Sequence, residues 1–434
     1  MPDDLGVRGE PCAYPARAWW GDRLVGETSA AVVVEEAGDV ALYFPLSDVR
    51  LECFRDEGRE LSSPAKGPAR LWSVAASADD HPASTGRDWQ DPAPGPLDGR
   101  DVLRAFTDPP EALAWLEGLA TFDHDRVRVE LVDGVPSGGE RDVTVKRFPA
   151  WGDTGHLIDI LDVRQLDGGA FVSVARTSPR RPVVEGSQML GQAIVAAGRR
   201  APGRRVVSGH MVFLRAADAS QPLRFEVEDL GAGRTFTTVA VQVSQAGRRC
   251  ASGILMLDVT APDVIRHSSP PAGVAGPYES EPLDMSVMGR DVRVVGGAYT
   301  DDPLAPVGPP EIDAWVRFRD VPDDPPLHDG LLAQFTGHMS IAAALRAHEG
   351  VGQREAHRTL STAINAIGIS LHAPVRADQW MLYHHESTFA GDGMTHSQCQ
   401  VRDEDGSLLA SFTVDAMVRK FAGGSEAVDD RRAL

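Results

Sequence analysis

The most apolar helical pattern in the chain covers about residues 186–198, GSQMLGQAIVAAG. Small and aliphatic residues occupy almost every position, so the pattern has no polar face for solvent. A helix that is apolar all round has to be buried on all sides, and this one is too short to cross a bilayer. A Pro-Gly break and a strand pattern over 206–214 follow it. The stretch 181–215 therefore predicts a central helix wrapped by a curved sheet.

The same order of patterns occurs twice. Alternating or β-branched runs follow the first helix and predict strands over 206–214, 223–230, 235–244 and 250–259. A second small-residue helix is predicted over 331–347, and strands are predicted near 366–371, 381–388, 395–401 and 408–419. A helix followed by four strands, repeated once, indicates a duplicated unit. Two such units can pair their open edges into one continuous sheet that carries both helices.

The N-terminal part has a different pattern, with short strand-like runs and one amphipathic helix predicted over 111–120. Residues 80–100 are loop by composition. The predicted organisation follows chain order: a small β-rich domain at 1–136, a linker at 137–154, the first copy at 155–261, a Pro-, Ser- and Gly-rich linker at 262–288, the second copy at 289–421 and a flexible tail at 422–434.

Composition narrows the class of protein. A chain of 434 residues is longer than a single hydrophobic core supports, so we expect more than one domain. The net charge of -20 argues against nucleic acid and anionic membrane as main partners, although a local Arg cluster can still bind a phosphate. The four cysteines have neither zinc-site nor disulfide-framework spacing. With no signal-peptide pattern and no membrane-length apolar run, we expect a reduced, cytoplasmic protein.

The first domain resembles a bacterial family known only as domain of unknown function 427. The matching motifs are Tyr43-Phe44-Pro45, Ser63-Pro64-Ala65-Lys66-Gly67 with 72–74, and Phe122-Asp123-His124-Asp125-Arg126. The family usually has Cys and Tyr where this chain has Ser63 and Ala65. The resemblance implies a fold but no chemistry. Lys66 and His124 are candidate pocket residues, with a solvated loop charge and a surface or capping histidine as the alternative interpretations.

Residues 156–421 resemble acyl-CoA thioesterase II, a double-hotdog family. The motifs include Val184-Glu185-Gly186-Ser187-Gln188, His210 with Phe213-Leu214-Arg215, and His372-Ala373-Pro374. The resemblance implies an α+β double hotdog, in which a continuous antiparallel sheet wraps two long central helices, preceded here by the small β-rich domain. It also implies an acyl thioester as substrate, with CoA or phosphopantetheine as its carrier and no other cofactor.

The family's hydrolytic residues, carried over by position, are replaced. The family uses an Asp, a Thr or Ser, and a Gln to hold the attacking water; this chain has Gly337, Ile364 and Val414. Each has a polar neighbour one residue on, namely His338, Asn365 and Asp415. One step rotates a helical side chain by about 100° and moves a strand side chain to the other face, and matching motifs on both sides oppose a shift of register. We therefore predict that the usual hydrolytic site is absent.

Three other residues are candidate catalytic groups. His338, on the second helix, can act as an acid or base near neutral pH, and a packed structural histidine is the alternative. His210, on the first strand, is kept from the family pattern, and its alternative is a strand-to-helix tie. Glu185 replaces the family's Phe at the helix start, where a carboxylate either complements the helix dipole or serves as a base.

Substrate contacts are predicted mainly at the start of the first helix. The backbone N–H groups of Gly186, Ser187 and Gln188 can polarise a thioester carbonyl. Asn365 is a further candidate. Arg204 belongs to a basic run with Arg199, Arg200 and Arg205 that either binds carrier phosphates or is a solvated loop. A group of metal-ligand residue types lies in the second copy: His384, His385, Glu386 and His396. Because alternate strand faces separate His384 from His385, no metal is predicted.

Three functions remain open from the sequence. The first is an enzyme that uses the cavity for a reaction other than hydrolysis, such as dehydration, isomerisation or cyclisation. The second is an acyl-CoA thioesterase with an atypical water site. The third is a non-catalytic acyl-binding or scaffold protein. A homodimer is compatible with all three.

Overall fold

The computed structural model describes residues 6–36, 39–75, 98–134, 143–152, 154–176, 182–270, 273–299, 305–356 and 359–421. The chain divides into two compact units, Met1–Trp151 with Asp284–Met288, and Gly152–Leu283 with Gly289–Leu434. Residues 80–97 of the predicted loop, 137–142 of the predicted linker and the predicted tail at 422–434 lie outside the described residues.

The first unit contains two antiparallel sheets. Its strands are β1 Val7–Pro11, β2 Ala16–Trp20, β3 Arg23–Thr28, β4 Val32–Glu36, β5 Asp39–Pro45, β6 Phe54–Ser63, β7 Gly67–Val74, β8 Leu103–Phe106, β9 Leu119–Phe122, β10 Arg128–Asp133 and β11 Thr144–Arg147. They form a seven-stranded sheet in the order β1-β4-β5-β9-β8-β7-β6 and a four-stranded sheet in the order β11-β10-β2-β3. A core that includes Phe44, Phe122 and Trp20 stabilises the unit, and Met288 is part of it.

One prediction for this unit was wrong, and the structure also decides against a surface His124 and a solvated Lys66. The helix predicted over 111–120 is a short 3-10 helix, Glu111–Leu116, because Gly118 adopts a φ of 77° and the chain turns into β9. His124 is buried, and its Nε2 accepts a hydrogen bond from the Leu42 backbone at 2.9 Å, so it is not on the surface. Lys66 is largely buried, forms an ion pair with Glu36 and lies over the Phe106 ring, so it is not a solvated charge.

The second unit is the double hotdog. Its helices are α1 Thr154–Leu161, α2 Gly186–Arg200, α3 Pro325–Phe335 and α4 Ser340–Leu345. Its strands are β12 Arg164–Gln165, β13 Phe171–Val172, β14 Val183–Val184, β15 Arg205–Phe213, β16 Ala217–Asp218, β17 Arg224–Ala232, β18 Phe236–Gln245, β19 Arg248–Asp258, β20 Glu281–Pro282, β21 Arg290–Val294, β22 Glu311–Phe318, β23 Leu360–Leu371, β24 Met381–Gly391, β25 Met394–Asp403 and β26 Leu408–Lys420.

One continuous sheet joins the two copies. Thirteen strands follow the order β12-β13-β17-β18-β19-β15-β23-β26-β25-β24-β22-β21-β20. The copies meet where β15 pairs antiparallel with β23, from Ser208 opposite Ser370 to Val212 opposite Ala366. The prediction that paired edges make a single sheet is confirmed.

The two central helices differ in regularity. All of α2 from Ser187 to Gly198 is buried, which confirms the first prediction. The second helix, predicted as one element over 331–347, is instead broken between α3 and α4. Thr336 and His338 bond back to the carbonyls three residues before them, Ala333 and Phe335, and such tight turns end an α-helix.

The helices α2 and α3 cross where glycines allow close approach. A Cβ on Gly191 would lie 2.5 Å from the Gly330 carbonyl oxygen, and one on Gly330 would lie 2.8 Å from Val195 Cγ2. The first neighbour is backbone and cannot rotate away, whereas the second is the end of a side chain.

We expect Gly191→Ala to destabilise the second unit by about 1–3 kcal/mol, since overpacking forces the helices apart. Gly330→Ala should cost less because Val195 can adjust. Urea denaturation of both variants measures the difference. Equal stability of Gly191→Ala and wild type would show that the crossing has more space than the structure indicates.

Part of the segment predicted as a linker over 262–288 packs on the sheet face opposite the helices. The indole N–H of Trp315 donates to the Ala275 carbonyl at 2.9 Å, and Arg402 donates to Ser269 Oγ at 2.8 Å. Val274 packs beside Trp315, Trp380 and Leu382. Within the described residues, none of the helices has the length and apolarity that crossing a membrane requires.

Candidate functional site

Glu185 and His338 meet beside the start of α2. Glu185 precedes the helix, and His338 lies in the break between α3 and α4, so the two copies contribute one residue each. The distance from Glu185 Oε2 to His338 Nε2 is 3.6 Å. The Glu185 side chain is 39% exposed and that of His338 is 9% exposed. The carboxylate is therefore the member of the pair that a ligand can reach more easily.

Two further polar residues complete this Glu185–His338 cluster. Arg290, which is only 1% exposed, contacts Gln334 Oε1 and His338 Nε2 through Nη1, both at 3.1 Å. Gln334 in turn donates from Nε2 to Glu185 Oε2 at 3.3 Å. Because a guanidinium can only donate, His338 Nε2 accepts from Arg290. This contact favours the neutral imidazole with its proton on Nδ1.

Glu185 does not cap the helix that it precedes. Its side chain makes no capping hydrogen bond to α2 and is directed instead toward Gln334 and His338. Glu185 therefore occupies the N-cap position without forming a side-chain cap hydrogen bond. Its negative charge still lies at the positive end of α2, where the helix dipole stabilises it.

The helix start itself is shaped for close approach. A Cβ on Gly186 would lie 2.9 Å from the Phe213 ring, so only glycine fits there. Ser187 and Gln188 follow and are buried. The first N–H groups of a helix have no partner within it, so this end of α2 can donate to an oxygen that carries developing negative charge.

Gly337 and Ile364, two of the three residues predicted to replace the family's hydrolytic groups, lie together beside Ser187. A Cβ on Gly337 would lie 2.7 Å from Ser187 Oγ and 2.9 Å from Ile364 Cδ1. Val414 is fully buried in β26 and pairs with Ile367 and Ser397. Gly337, Ile364 and Val414 carry no side-chain donor or acceptor, so their side chains cannot bind a water by hydrogen bonding.

The polar neighbours of these positions differ in their placement. His396 Nδ1 bonds to Asp415 Oδ1 at 2.7 Å. The strand neighbours of these two residues, Ser397 on β25 and Val414 on β26, are buried. Asn365 lies at a register shift in β23, between Ile364 and Ala366. Such a bulge interrupts strand alternation, so the expectation that one step moves Asn365 to the other face does not hold there. Its Oδ1 is buried and makes no hydrogen bond within the described chain.

The other predicted site residues are not in the cluster. His210 is exposed on β15, between the buried residues Gly209 and Met211. Arg204 donates to the backbone carbonyls of Gly233, Arg234 and Thr235, and thereby ties β15 to the turn before β18. The neighbouring arginines also bind acceptors of the chain: Arg199 binds Val163, Arg200 binds Asp229 and Arg205 binds His372. Binding of carrier phosphates by this run stays a prediction.

Arg290 and Gln334 were missed at the sequence level. Gln334 is a polar residue inside an otherwise apolar helix pattern, which is a usable signal for a functional position. Arg290 is the first residue of β21 in an Arg-rich chain, so no sequence pattern distinguishes it.

The histidines of β24 belong to opposite faces of the sheet. His384 Nδ1 bonds to Asp313 at 2.9 Å, whereas His385 Nδ1 bonds to Ser340 of α4 at 3.0 Å. The Asp313 hydrogen bond raises the pKa of His384. Within the described ranges, no three His, Cys, Asp or Glu side chains are grouped to hold a metal ion.

Comparison with known proteins agrees with this architecture. Residues 175–257 match the acyl-CoA thioesterase N-terminal domain, residues 266–418 match the acyl-CoA thioesterase C-terminal domain, and residues 8–133 match the domain of unknown function DUF427. Acyl-CoA thioesterase 2 of Haemophilus influenzae is 25% identical over 281 residues, which cover 61% of this chain and 97% of the relative. Human acyl-coenzyme A thioesterase 8 is 26% identical, with 48% and 72% covered.

Solved structures show the same fold. An acyl-CoA thioesterase II from Mycobacterium marinum is 28% identical, with a TM-score of 0.52, and the match covers 62% of this chain and 99% of that one. A TesB protein from Mycobacterium avium subspecies paratuberculosis is 23% identical, with a TM-score of 0.53 and coverage of 61% and 99%. At 23% sequence identity, this second likeness supports the fold alone. The two thioesterase matches together span more than half of the chain, which therefore belongs to the acyl-CoA thioesterase family of double-hotdog proteins and carries a DUF427 domain ahead of them.

Proposed function

We propose that this protein binds an acyl thioester at the start of α2 and moves a proton on the acyl group without hydrolysing the thioester. The observation that carries the proposal is the meeting of Glu185 and His338 beside that helix start. Dehydration and isomerisation of acyl thioesters both begin with removal of a proton next to the carbonyl. A carboxylate beside an oxyanion-binding helix end is suited to that step.

Glu185 is the base in this proposal. Its carboxylate is partly exposed, whereas His338 Nε2 already accepts a hydrogen bond from Arg290. Glu185 takes the proton from the carbon next to the carbonyl, and the electron pair moves onto the thioester oxygen. When the carbonyl re-forms, the protonated Glu185 gives that proton either to the leaving 3-hydroxyl, which departs as water, or to the far carbon of the shifted double bond. The N–H groups at the start of α2 stabilise that oxygen. His338, Arg290 and Gln334 are positioning residues that hold the carboxylate toward the helix start.

Hydrolysis is disfavoured because an attacking water needs a polar group to orient it. Ser187 and Ile364 enclose the Gly337 position, and Val414 is fully buried. Of these four residues, only Ser187 has a side chain that can form a hydrogen bond, and its Oγ faces Gly337. Because these side chains leave no polar group to orient a water, they support a reaction in which water does not attack the thioester carbon.

The test uses saturated, 3-hydroxy, 2-enoyl and 3-enoyl acyl-CoAs in D₂O with the full-length protein. Mass spectrometry measures deuterium uptake next to the carbonyl and the interconversion of the acyl groups, while a thiol assay measures released CoA. We expect deuterium uptake or interconversion without thiol release. Stoichiometric thiol release would overturn the proposal in favour of a thioesterase with an atypical water site. Saturable binding without either reaction would favour a non-catalytic acyl-binding protein.

A further inference from the structure

The helix-facing side of the second hotdog sheet carries a buried polar cluster that the proposed reaction does not use. His385 of β24 is fully buried, and its Nδ1 lies 3.0 Å from Ser340 Oγ at the start of α4. Cys399 of β25 pairs with His385 across the strands, and its Sγ lies 3.6 Å from the same Nδ1. These groups form one hydrogen-bonded set between the sheet and α4.

Three buried polar atoms beside this set have no hydrogen-bond partner in the part of the chain that the structure describes. They are His385 Nε2, Ser397 Oγ and Thr395 Oγ1. Ser397 and His385 are both 0% exposed, and Thr395 is 5% exposed. A buried polar group without a partner destabilises the folded state, because it loses its hydrogen bonds to water. Three such groups near one another indicate that a polar ligand atom completes them.

These atoms belong to neighbouring positions of one sheet face. Ser397 and Cys399 are two residues apart on β25, so they share a face, and Cys399 pairs with His385. Thr395 is two residues from Ser397 in the other direction and lines a cavity of about 560 Å³. The cavity is otherwise mostly apolar, with Leu345, Leu360 and Val418 among its lining residues. The polar side chains of this face of β25 are therefore followed by a space that suits hydrocarbon.

The chemistry of the cluster favours a neutral oxygen. Burial, aided by the nearby His384 and His338, lowers the pKa of His385 to about 3, so the imidazole is neutral. Burial also raises the pKa of Cys399 to about 12, so the thiol keeps its proton. Neither group offers the positive charge that a carboxylate or phosphate needs. A neutral imidazole with Ser340 on Nδ1 presents Nε2 as donor or acceptor, according to its tautomer.

The cluster lies close to the proposed reaction site along the chain. Ser340 follows Gly337 by three residues and His338 by two. His338 stacks on Phe335, Phe335 contacts Tyr383, and Tyr383 stacks on His385, so both histidines belong to one layer of rings between the helices and the sheet.

We propose that the second hotdog binds the acyl chain along this face, with His385 Nε2 and Ser397 Oγ holding a hydroxyl or keto oxygen on the chain and its end in the cavity beside Thr395. The substrate class is thus an acyl thioester with a hydroxyl or keto oxygen on its chain. This inference rests on the proposed function for the placement of the thioester at α2.

The test measures binding rather than turnover. Amide analogues of acyl-CoA, in which nitrogen replaces the thioester sulfur, are titrated by calorimetry into the full-length protein. The set comprises a saturated medium chain, isomers with one hydroxyl placed at successive carbons, the corresponding keto compounds and an ω-carboxyl compound. We expect one hydroxyl or keto position to bind about tenfold more tightly than the saturated chain, which corresponds to about 1.4 kcal/mol. The carboxyl compound should bind more weakly than the saturated chain.

Two variants assign the preference to the cluster. His385→Leu should abolish the tenfold preference while keeping affinity for the saturated chain, and Ser397→Ala should reduce the preference severalfold. If His385→Leu does not fold, Ser397→Ala decides, because it removes only one hydroxyl. Thr413→Ala is the matched control, since Thr413 lies next to Val414 on β26 but on the opposite side of the sheet, near His210.

Equal affinity for all the analogues would overturn the inference, and so would a preference that survives in both His385→Leu and Ser397→Ala. The first result would show that the cluster holds only water. Failure of the proposed reaction is a separate result, because deuterium uptake and binding preference are measured independently.

Discussion

Glu185→Gln is expected to lower the rate of deuterium uptake next to the acyl-CoA carbonyl by about a hundredfold or more. Loss of a positioned base costs 10²–10⁴-fold in rate, and the amide keeps the shape of the carboxylate while removing its basicity. Binding of acyl-CoA should change little, because the N–H groups at the start of α2 remain. The measurement is the initial rate of uptake in D₂O at saturating acyl-CoA, with Kd from calorimetry.

Glu386→Gln is the matched control for this prediction. Glu386 is exposed on β24, beside His384 on the side of the sheet away from the Glu185–His338 cluster. The same chemical change there should leave the rate within twofold of wild type. A rate loss in Glu386→Gln that equals the loss in Glu185→Gln would contradict the assignment of the base.

The second large effect concerns pH and His385. Its folded-state pKa is about 3, whereas an unfolded histidine has a pKa of about 6.5. Between these values the unfolded chain binds a proton that the folded chain does not. His385 therefore lowers stability progressively as the pH falls from about 6.5, by about 1.4 kcal/mol for each pH unit. Above about 6.5 this penalty is absent.

We expect His385→Leu to remove this pH dependence. The wild type should lose stability relative to His385→Leu at about 1.4 kcal/mol per pH unit from pH 6 down to pH 4. Denaturant unfolding of both proteins at each pH measures this difference, and titrations common to both proteins cancel. Parallel pH curves for the two proteins would contradict a neutral, buried His385.

His384→Gln provides a control of opposite sign. The hydrogen bond that His384 Nδ1 donates to Asp313 raises the pKa of His384 in the folded state. Its contribution to stability is therefore fully present below about pH 6.5 and is lost as the pH rises through the folded-state pKa. The cost of His384→Gln should be largest in acid and shrink at higher pH, although this histidine is the immediate neighbour of His385.

Much of the architecture could be predicted from periodic patterns. The buried character of α2, the strands of both copies and the joined sheet follow from side-chain periodicity and from duplication. The second central helix was predicted too long, because its composition is apolar throughout while its break depends on three-residue backbone bonds around Gly337. The bulge at Asn365 is also invisible to a pattern of alternation, since it is a local change of pairing with β26.

The candidate site was only partly predictable. Glu185 and His338 were found because each occupies an unusual position relative to the family pattern. Their contact at 3.6 Å, and the part of Arg290 in it, depend on how the two copies pack. Likewise, strand alternation separates His384 from His385, yet only the position of α4 shows that His385 bonds to Ser340.

The sequence by itself determined a buried helix, a duplicated set of strands and the family, because each of these is encoded in local residue order, and it predicts that the family's hydrolytic residue types are replaced. The tertiary structure alone decided that Glu185 does not cap α2, that His210 lies away from Glu185 and His338, and that Arg290 and Gln334 join those two residues. Gln334 and Glu185 are 149 positions apart. Contacts over such separations arise from helix crossing and strand pairing. The residues next to each partner in sequence do not determine these contacts.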